Sequence, residues 1–313
     1  MIRRAWRLPL QLAIAAILLA ILWRLSDGEA LAHRLAGADP AWVVAGLVFG
    51  TLAMICGAMR WRYTARRIGA ELGAVEAVRE LYLAMFLNQV LPGGVSGDAF
   101  RAWRHGRRAQ EQHGAGPAVR AVIIERVANQ MVMALCILAS MALWPWMPGA
   151  VSVSVWALLI AAAAMIGVAA LALALLARRN TGGAMARFFD DAREALVRRG
   201  SLPAQVGLGL LVVACCLAMF YCAAHAVDAG LSLLHLLALV PATLFAMTIP
   251  ISIGGWGVRE ASAVALWTMA GLPAEEALAS SILYGLLTLL AALPGVVVLL
   301  VDRRRQPRAP SQR

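Results

Sequence analysis

The sequence predicts an all-α polytopic membrane protein, a helix bundle of six full spans plus two re-entrant, glycine-broken hairpins of opposite orientation. Three observations predict it. Apolar residues make up 62% of the 313-residue chain and charged residues 14%, against roughly a quarter charged in a soluble domain. Several apolar runs reach the roughly 20 residues that a helix needs to cross a bilayer. Two further runs stop near a proline and restart after clustered glycines, at Pro92 to Gly97 and at Pro250 to Gly257.

The net charge is +11, and all 28 basic residues are arginine. In so apolar a chain this excess reads as arginine held at the cytoplasmic face rather than as a nucleic-acid surface. The lack of lysine excludes Schiff-base and P-loop lysine chemistry. The five cysteines, Cys56, Cys136, Cys215, Cys216 and Cys222, fall in apolar runs, and the five histidines follow no ligand spacing. Small apolar packing accounts for the cysteines, and neither a metal nor a cofactor is expected.

In chain order, Arg3, Arg4 and Arg7 precede an apolar run over 8–23, read as an uncleaved first span with the N terminus inside. The loop over 24–39, with two arginines and three acids, suits the outside. A second span over 40–59 ends at Arg60, Arg62, Arg66 and Arg67, hence inside. The apolar run 81–91 is half a bilayer long, about 16 Å at 1.5 Å per residue. Arginines follow it at 101, 104, 107 and 108, so parity makes it a hairpin entering and leaving from the cytoplasm. Spans over 121–144 and 153–177 come next. Then follows an arginine-rich cytoplasmic segment whose residues 184–199 have the spacing of an amphipathic surface helix. A span over 203–227 leads outside. The run 231–253, the second break and the run 261–272 return to the outside, where Glu275 and Glu276 lie. That makes a hairpin from the opposite face, and the pair of hairpins suggests an inverted repeat. A rival topology counts 231–253 and 258–272 as full spans, eight in all. The last span, over 277–301, ends inside at Arg303, Arg304 and Arg305. Residues 1–313 form one integral membrane domain.

Backbone that leaves the helix at membrane depth must be buried in protein or line a wet cavity. Gly93, Gly94 and Gly97 in the first break, and Gly254, Gly255 and Gly257 in the second, permit such a path. The outgoing half-helices start near Ser96 or Gly97 and near Gly257. Each start presents unpaired N–H groups, an anion site by geometry. Arg101 and Arg259 stand close by, and arginine binds phosphate bidentately without losing charge. One reading is therefore a lipid headgroup site. The other is that Asp98 and Glu260 neutralise the dipole and pair with the arginines; both can hold together. Glu125, Arg126, Asn129 and Gln130 lie in the first turns of the 121–144 span, with Glu125 and Asn129 on one face and Arg126 and Gln130 on the next. They either snorkel to the interface, or Glu125 or Arg126 meets Asp98 or Arg259 across a cavity. Asn88 and Gln89 either line that cavity or cap freed backbone. Trp61, Trp103, Trp144, Trp146 and Trp156 read as an interfacial belt.

The stretches LPGGVSGDAFRAW, ERVANQ and PISIGGWGVREASAV, in this order, resemble the flippase-like membrane domain of the lysylphosphatidylglycerol synthetase family. The resemblance covers nearly the whole chain. It implies a polytopic inner-membrane protein that handles amphipathic lipids, in some members by moving them between leaflets. Bifunctional members carry a soluble aminoacyl-transferase domain after the membrane part. Here the chain ends twelve residues after the last span, so lysyl transfer is not expected. The expected function is a translocase or export component for an amphipathic lipid (polar-headgroup, isoprenoid or glycolipid), with a membrane lipid as substrate and lipid-biosynthesis enzymes as partners. The alternatives are a membrane enzyme using Asp98, Glu125 or Glu260 as acid or base, and a non-catalytic scaffold of a lipid-synthesis complex.

Overall fold

A computed structural model describes residues 28–91, 96–109, 116–147, 183–248 and 252–305. The spans read at 8–23 and 153–177, Trp156, and the break residues 92–95 and 249–251 (with Gly93 and Gly94) lie outside the described residues. Among the described residues all regular structure is helical: α1 (Gly28–Ala36), α2 (Pro40–Arg67), α3 (Ala74–Val90), α4 (Ser96–Ala109), α5 (Gly116–Met141), α6 (Ala184–Leu196), α7 (Ser201–Ala226), α8 (Leu233–Ala246), α9 (Val258–Met269), α10 (Ala274–Ala292) and α11 (Pro294–Arg305).

The order repeats. A long helix, two short helices flanking a glycine break, and a second long helix start at 40, 74, 96 and 116, and the same series starts again at 201, 233, 258 and 274. Among the described residues, four stretches are long and apolar enough to cross a membrane: Pro40–Arg67, Gly116–Trp146, Ser201–Ala226 and Ala274–Asp302. The short helices α3, α4, α8 and α9 have 17, 14, 14 and 12 residues. At about 1.5 Å per residue none of them covers the roughly 30 Å of hydrocarbon alone.

Local chemistry sets the boundaries. Asp39 caps α2 by accepting from the Ala41 N–H at 2.8 Å, and Pro40 fills the first turn. The sequence places the end of this span at 59, but the helix runs on to Arg67. Arginine is a good helix former, and nothing stops the helix until Gly69 takes φ 77°. The predicted last span divides at Pro294, which cannot donate to the carbonyl four residues back. Tight turns flank it, with the Leu293 N–H on Leu290 O and the Val296 N–H on Leu293 O.

The two repeats meet along α2 and α7. Gly46 and Gly50, four apart on α2, make the approach possible. A Cβ on Gly46 would lie 2.7 Å from Leu287 Cδ1, and one on Gly50 3.1 Å from Met219 Sδ and Ala291 Cβ. Small residues spaced in this way let membrane helices pack closely. Gly46→Val is therefore expected to cost about 1–3 kcal/mol by overpacking, seen as a lower thermal midpoint in detergent. An unchanged midpoint would mean the seam is not tight. The core is uneven. Around α7, α8 and α10 it is rich in leucine, whereas around α2, α3 and α4 it is mostly alanine beside Trp61. That thinner side is where most of the buried charged side chains gather.

Candidate functional site

The first cluster is built by α2, α3, α4 and α5. Arg101 on α4 is 1% exposed and donates to Asp98 Oδ1 at 2.8 Å and to Glu125 Oε2 at 2.7 Å. Its guanidinium lies over the Trp61 ring, 4.6 Å from the centroid. Trp61 packs in turn edge-on against His105, at 5.6 Å between centroids. Asp98 also accepts from Asn88 Nδ2 at 3.1 Å and from Arg126 Nη2. Arg60 reaches in from α2 and donates to Asn129 Oδ1 at 2.7 Å and to the Glu125 carbonyl at 3.2 Å. On the adjacent face of α5, Gln130 donates to Thr248 Oγ1 at 3.0 Å.

Glu125 lies nine residues into α5, about 14 Å along its axis. The outer side of the same helix is an exposed apolar stripe among the described residues: Val119, Ile123, Val127, Met131 and Leu135. The charged cluster thus sits level with an apolar outer surface suited to lipid. Buried ions at such a level survive only when paired and hydrogen-bonded. Arg126 differs from its neighbours in that 38% of its side chain stays accessible.

The second cluster surrounds Arg259 on α9, which is 0% exposed. It pairs with the equally buried Glu260 and donates to Ser281 Oγ at 3.2 Å. The rings of Trp256 and Tyr284 lie 4.9 and 5.5 Å from the guanidinium carbon. Gly285 on α10 leaves room for it, since a Cβ there would fall 2.1 Å from Arg259 Nη2.

At each helix start one N–H is already taken within the chain. The Gly97 N–H donates to Asn88 Oδ1 at 2.8 Å, and the Gly257 N–H donates to Glu260 Oε2 at 2.6 Å. Asn88 and Glu260 serve as caps. The arginines pair with the acids, as the second sequence reading has it, and Arg126 meets Asp98. Arg101 and Arg259 do not share a partner; each sits in its own cluster.

The two breaks nonetheless touch. Gly254 takes φ 58° and backs onto Gln89. A Cβ at Gly254 would lie 2.4 Å from Gln89 Oε1 and 3.3 Å from Gln89 Cα. Gly255, at φ 81°, is set likewise against Met247, whose Cβ would be 2.6 Å away. These positive φ values are ones that glycine adopts freely.

A family model, the lysylphosphatidylglycerol synthase TM region, matches residues 9–295. The chain belongs to this family. No curated protein matches it. Membership in the lysylphosphatidylglycerol synthase TM family, with four helices of spanning length and apolarity among the described residues, makes it an integral membrane protein of a lipid-handling family.

Several participants of this family member's charged clusters go unnoticed in the sequence. Arg60 reads as one of four topology-setting arginines but is buried inside the bundle at 1% exposure. Trp61 and Trp144, taken for belt residues, are buried too, whereas Trp103 and Trp146 are exposed. A third ionic group ties α11 to the first hairpin: Arg104 bonds Glu80 at 2.8 Å and Asp302 at 2.6 Å, and Arg79 bonds Asp302 at 2.9 Å. The helical spacing of Arg79, Glu80 and Leu83 was the available signal, since it places charge on a helix with an otherwise apolar face.

Proposed function

We propose that the protein moves an amphipathic lipid with a polar head between the leaflets of the cell's inner membrane. In this reading both termini are cytoplasmic. The α3–α4 and α8–α9 pairs are re-entrant hairpins from opposite faces, related as an inverted repeat. The observation that carries the proposal is the contact of Gln89 with Gly254. It joins the two broken segments beside a cluster of ionised groups that lies level with an apolar outer stripe. Irregular backbone and charge at that level are costly unless they serve a polar path. Asn88, Gln89, Asp98, Arg101, Glu125, Arg126 and Asn129 would line the path from the first repeat. Gly254, Gly255, Gly257, Arg259 and Glu260 would shape it from the second.

The test is reconstitution in liposomes with a fluorescent phospholipid whose outer-leaflet fraction is quenched chemically. The wild-type protein should speed translocation over protein-free liposomes. Gly254→Ala adds a Cβ against Gln89 and strains the backbone. Its rate should fall about tenfold or more, the worth of ~1.4 kcal/mol at the barrier, with the size-exclusion profile unchanged. A wild-type rate equal to that of protein-free liposomes for phosphatidylglycerol, a polyprenyl phosphate and a glycolipid alike would remove the transport reading.

A further inference from the structure

The first cluster does not balance its charge. Arg60, Arg101 and Arg126 face Asp98 and Glu125, three cations to two carboxylates. Arg101 pairs with both acids and Arg126 with Asp98. Arg60 meets only the neutral Asn129 amide and a backbone carbonyl. Among the described residues no third carboxylate bonds any of the three. Each guanidinium also keeps an N–H atom without an acceptor: Arg60 Nε, Arg101 Nη1 and Arg126 Nε. An arginine cannot shed its proton to escape burial. A buried net positive charge is among the costliest features a fold can carry, and here it lies level with an apolar outer stripe.

We infer that this cluster is a binding site for one singly charged phosphate group, with Arg60 as the source of the attraction and Arg126 as the point of contact. Arg126 is the member whose side chain is open, at 38%. A phosphodiester carries one negative charge and matches the one that Arg60 leaves over. Its oxygens accept from planar guanidinium groups in a two-pronged manner. Arg60 acts through the field it adds to the cluster and need not touch the ligand. The inference rests on the lipid-handling reading for the source of the phosphate, but its chemistry would equally admit free phosphate.

Asn129→Asp tests it with almost no change in shape. It places a carboxylate where Arg60 Nη1 now meets an amide oxygen at 2.7 Å and so supplies the missing charge within the chain. Thermal unfolding is followed in a neutral detergent with added phosphatidylglycerol, diacylglycerol or inorganic phosphate. The wild-type midpoint should rise by roughly 5 °C with phosphatidylglycerol at about 100 times its Kd, and should not move with diacylglycerol. Asn129→Asp should start from a higher midpoint without lipid and lose most of that rise. Arg60→Gln, which also neutralises the cluster, should lose it too. A rise with inorganic phosphate as large as that with the lipid assigns the site to the free anion and keeps the anion site.

Three results overturn the inference: a wild-type midpoint that no anion raises, an equal rise with diacylglycerol, or an Asn129→Asp variant that is less stable than wild type or responds to phosphatidylglycerol as wild type does. If wild-type liposomes fail to translocate lipid while the thermal response survives, the transport reading falls and the anion site stands.

Discussion

Glu260→Gln is expected to lower stability by about 3–5 kcal/mol, the cost of leaving one partner of a fully buried ion pair alone. Glu260 has two duties. One oxygen accepts from the Gly257 N–H at 2.6 Å, and the other pairs with Arg259. Glutamine keeps an amide oxygen for the cap, so the substitution isolates the charge. Arg259 then stays at 0% exposure with only Ser281 and two aromatic faces. Gly285 holds it there, since the space beside the guanidinium is as narrow as a missing Cβ. The double change Arg259→Gln, Glu260→Gln should recover most of the loss, because removing both charges removes the penalty as well as the attraction. Thermal or denaturant unfolding in detergent measures all three proteins. If the double variant is as damaged as the single one, the site depends on shape and hydrogen bonds rather than on charge balance.

The features legible in the sequence are those set by local period. Glu125 and Asn129 on one face of α5, with Arg126 and Gln130 on the next, follow from 3.6 residues per turn. In the structure the first pair meets Arg101 and Arg60, and the second meets Asp98 and Thr248. The glycines of the second break were also legible: Gly254, Gly255 and Gly257 all take positive φ, which no other residue adopts so readily. Partners set by the tertiary fold were hidden. Arg60 bonds Asn129 across 69 positions, and Arg104 bonds Asp302 across 198. In the sequence Arg60 is simply the first of a run of arginines, and a charge count along the chain places it at a membrane edge. What buries it is the packing of α2 against α5, where it bonds Asn129 and the Glu125 carbonyl. Likewise Trp61 looks like any interfacial tryptophan until Arg101 lies over its ring. The capped N–H at each helix start was hidden for a related reason. A free N–H at a start is a statement about the helix alone, whereas its capping by Asn88 is a property of the hairpin.

Gly97→Ala is expected to separate the hairpin from its chemistry. A Cβ at this position would lie 1.9 Å from the Ala84 carbonyl oxygen and 2.8 Å from Ala84 Cα. Both are backbone atoms of α3, so no side chain can swing aside, and α4 must retreat on the order of 1 Å. The retreat starts at the residue whose N–H is held by Asn88 and one position before Asp98, which carries the bonds to Arg101 and Arg126. Overpacking of this kind costs about 3 kcal/mol, and the same displacement loosens the ion pairs of the first cluster together. Gly207→Ala is the matched control. Gly207 lies in α7 with nothing within 4 Å of its would-be Cβ. Alanine there should be neutral or gain up to about 1 kcal/mol from helix propensity. Lipid translocation should drop to the protein-free rate in Gly97→Ala and hold in Gly207→Ala. A Gly97→Ala protein as stable and as active as the control would show that the two helices of the first hairpin do not approach at Ala84, and with that the geometry that gathers Asn88, Asp98 and Arg101 would be lost.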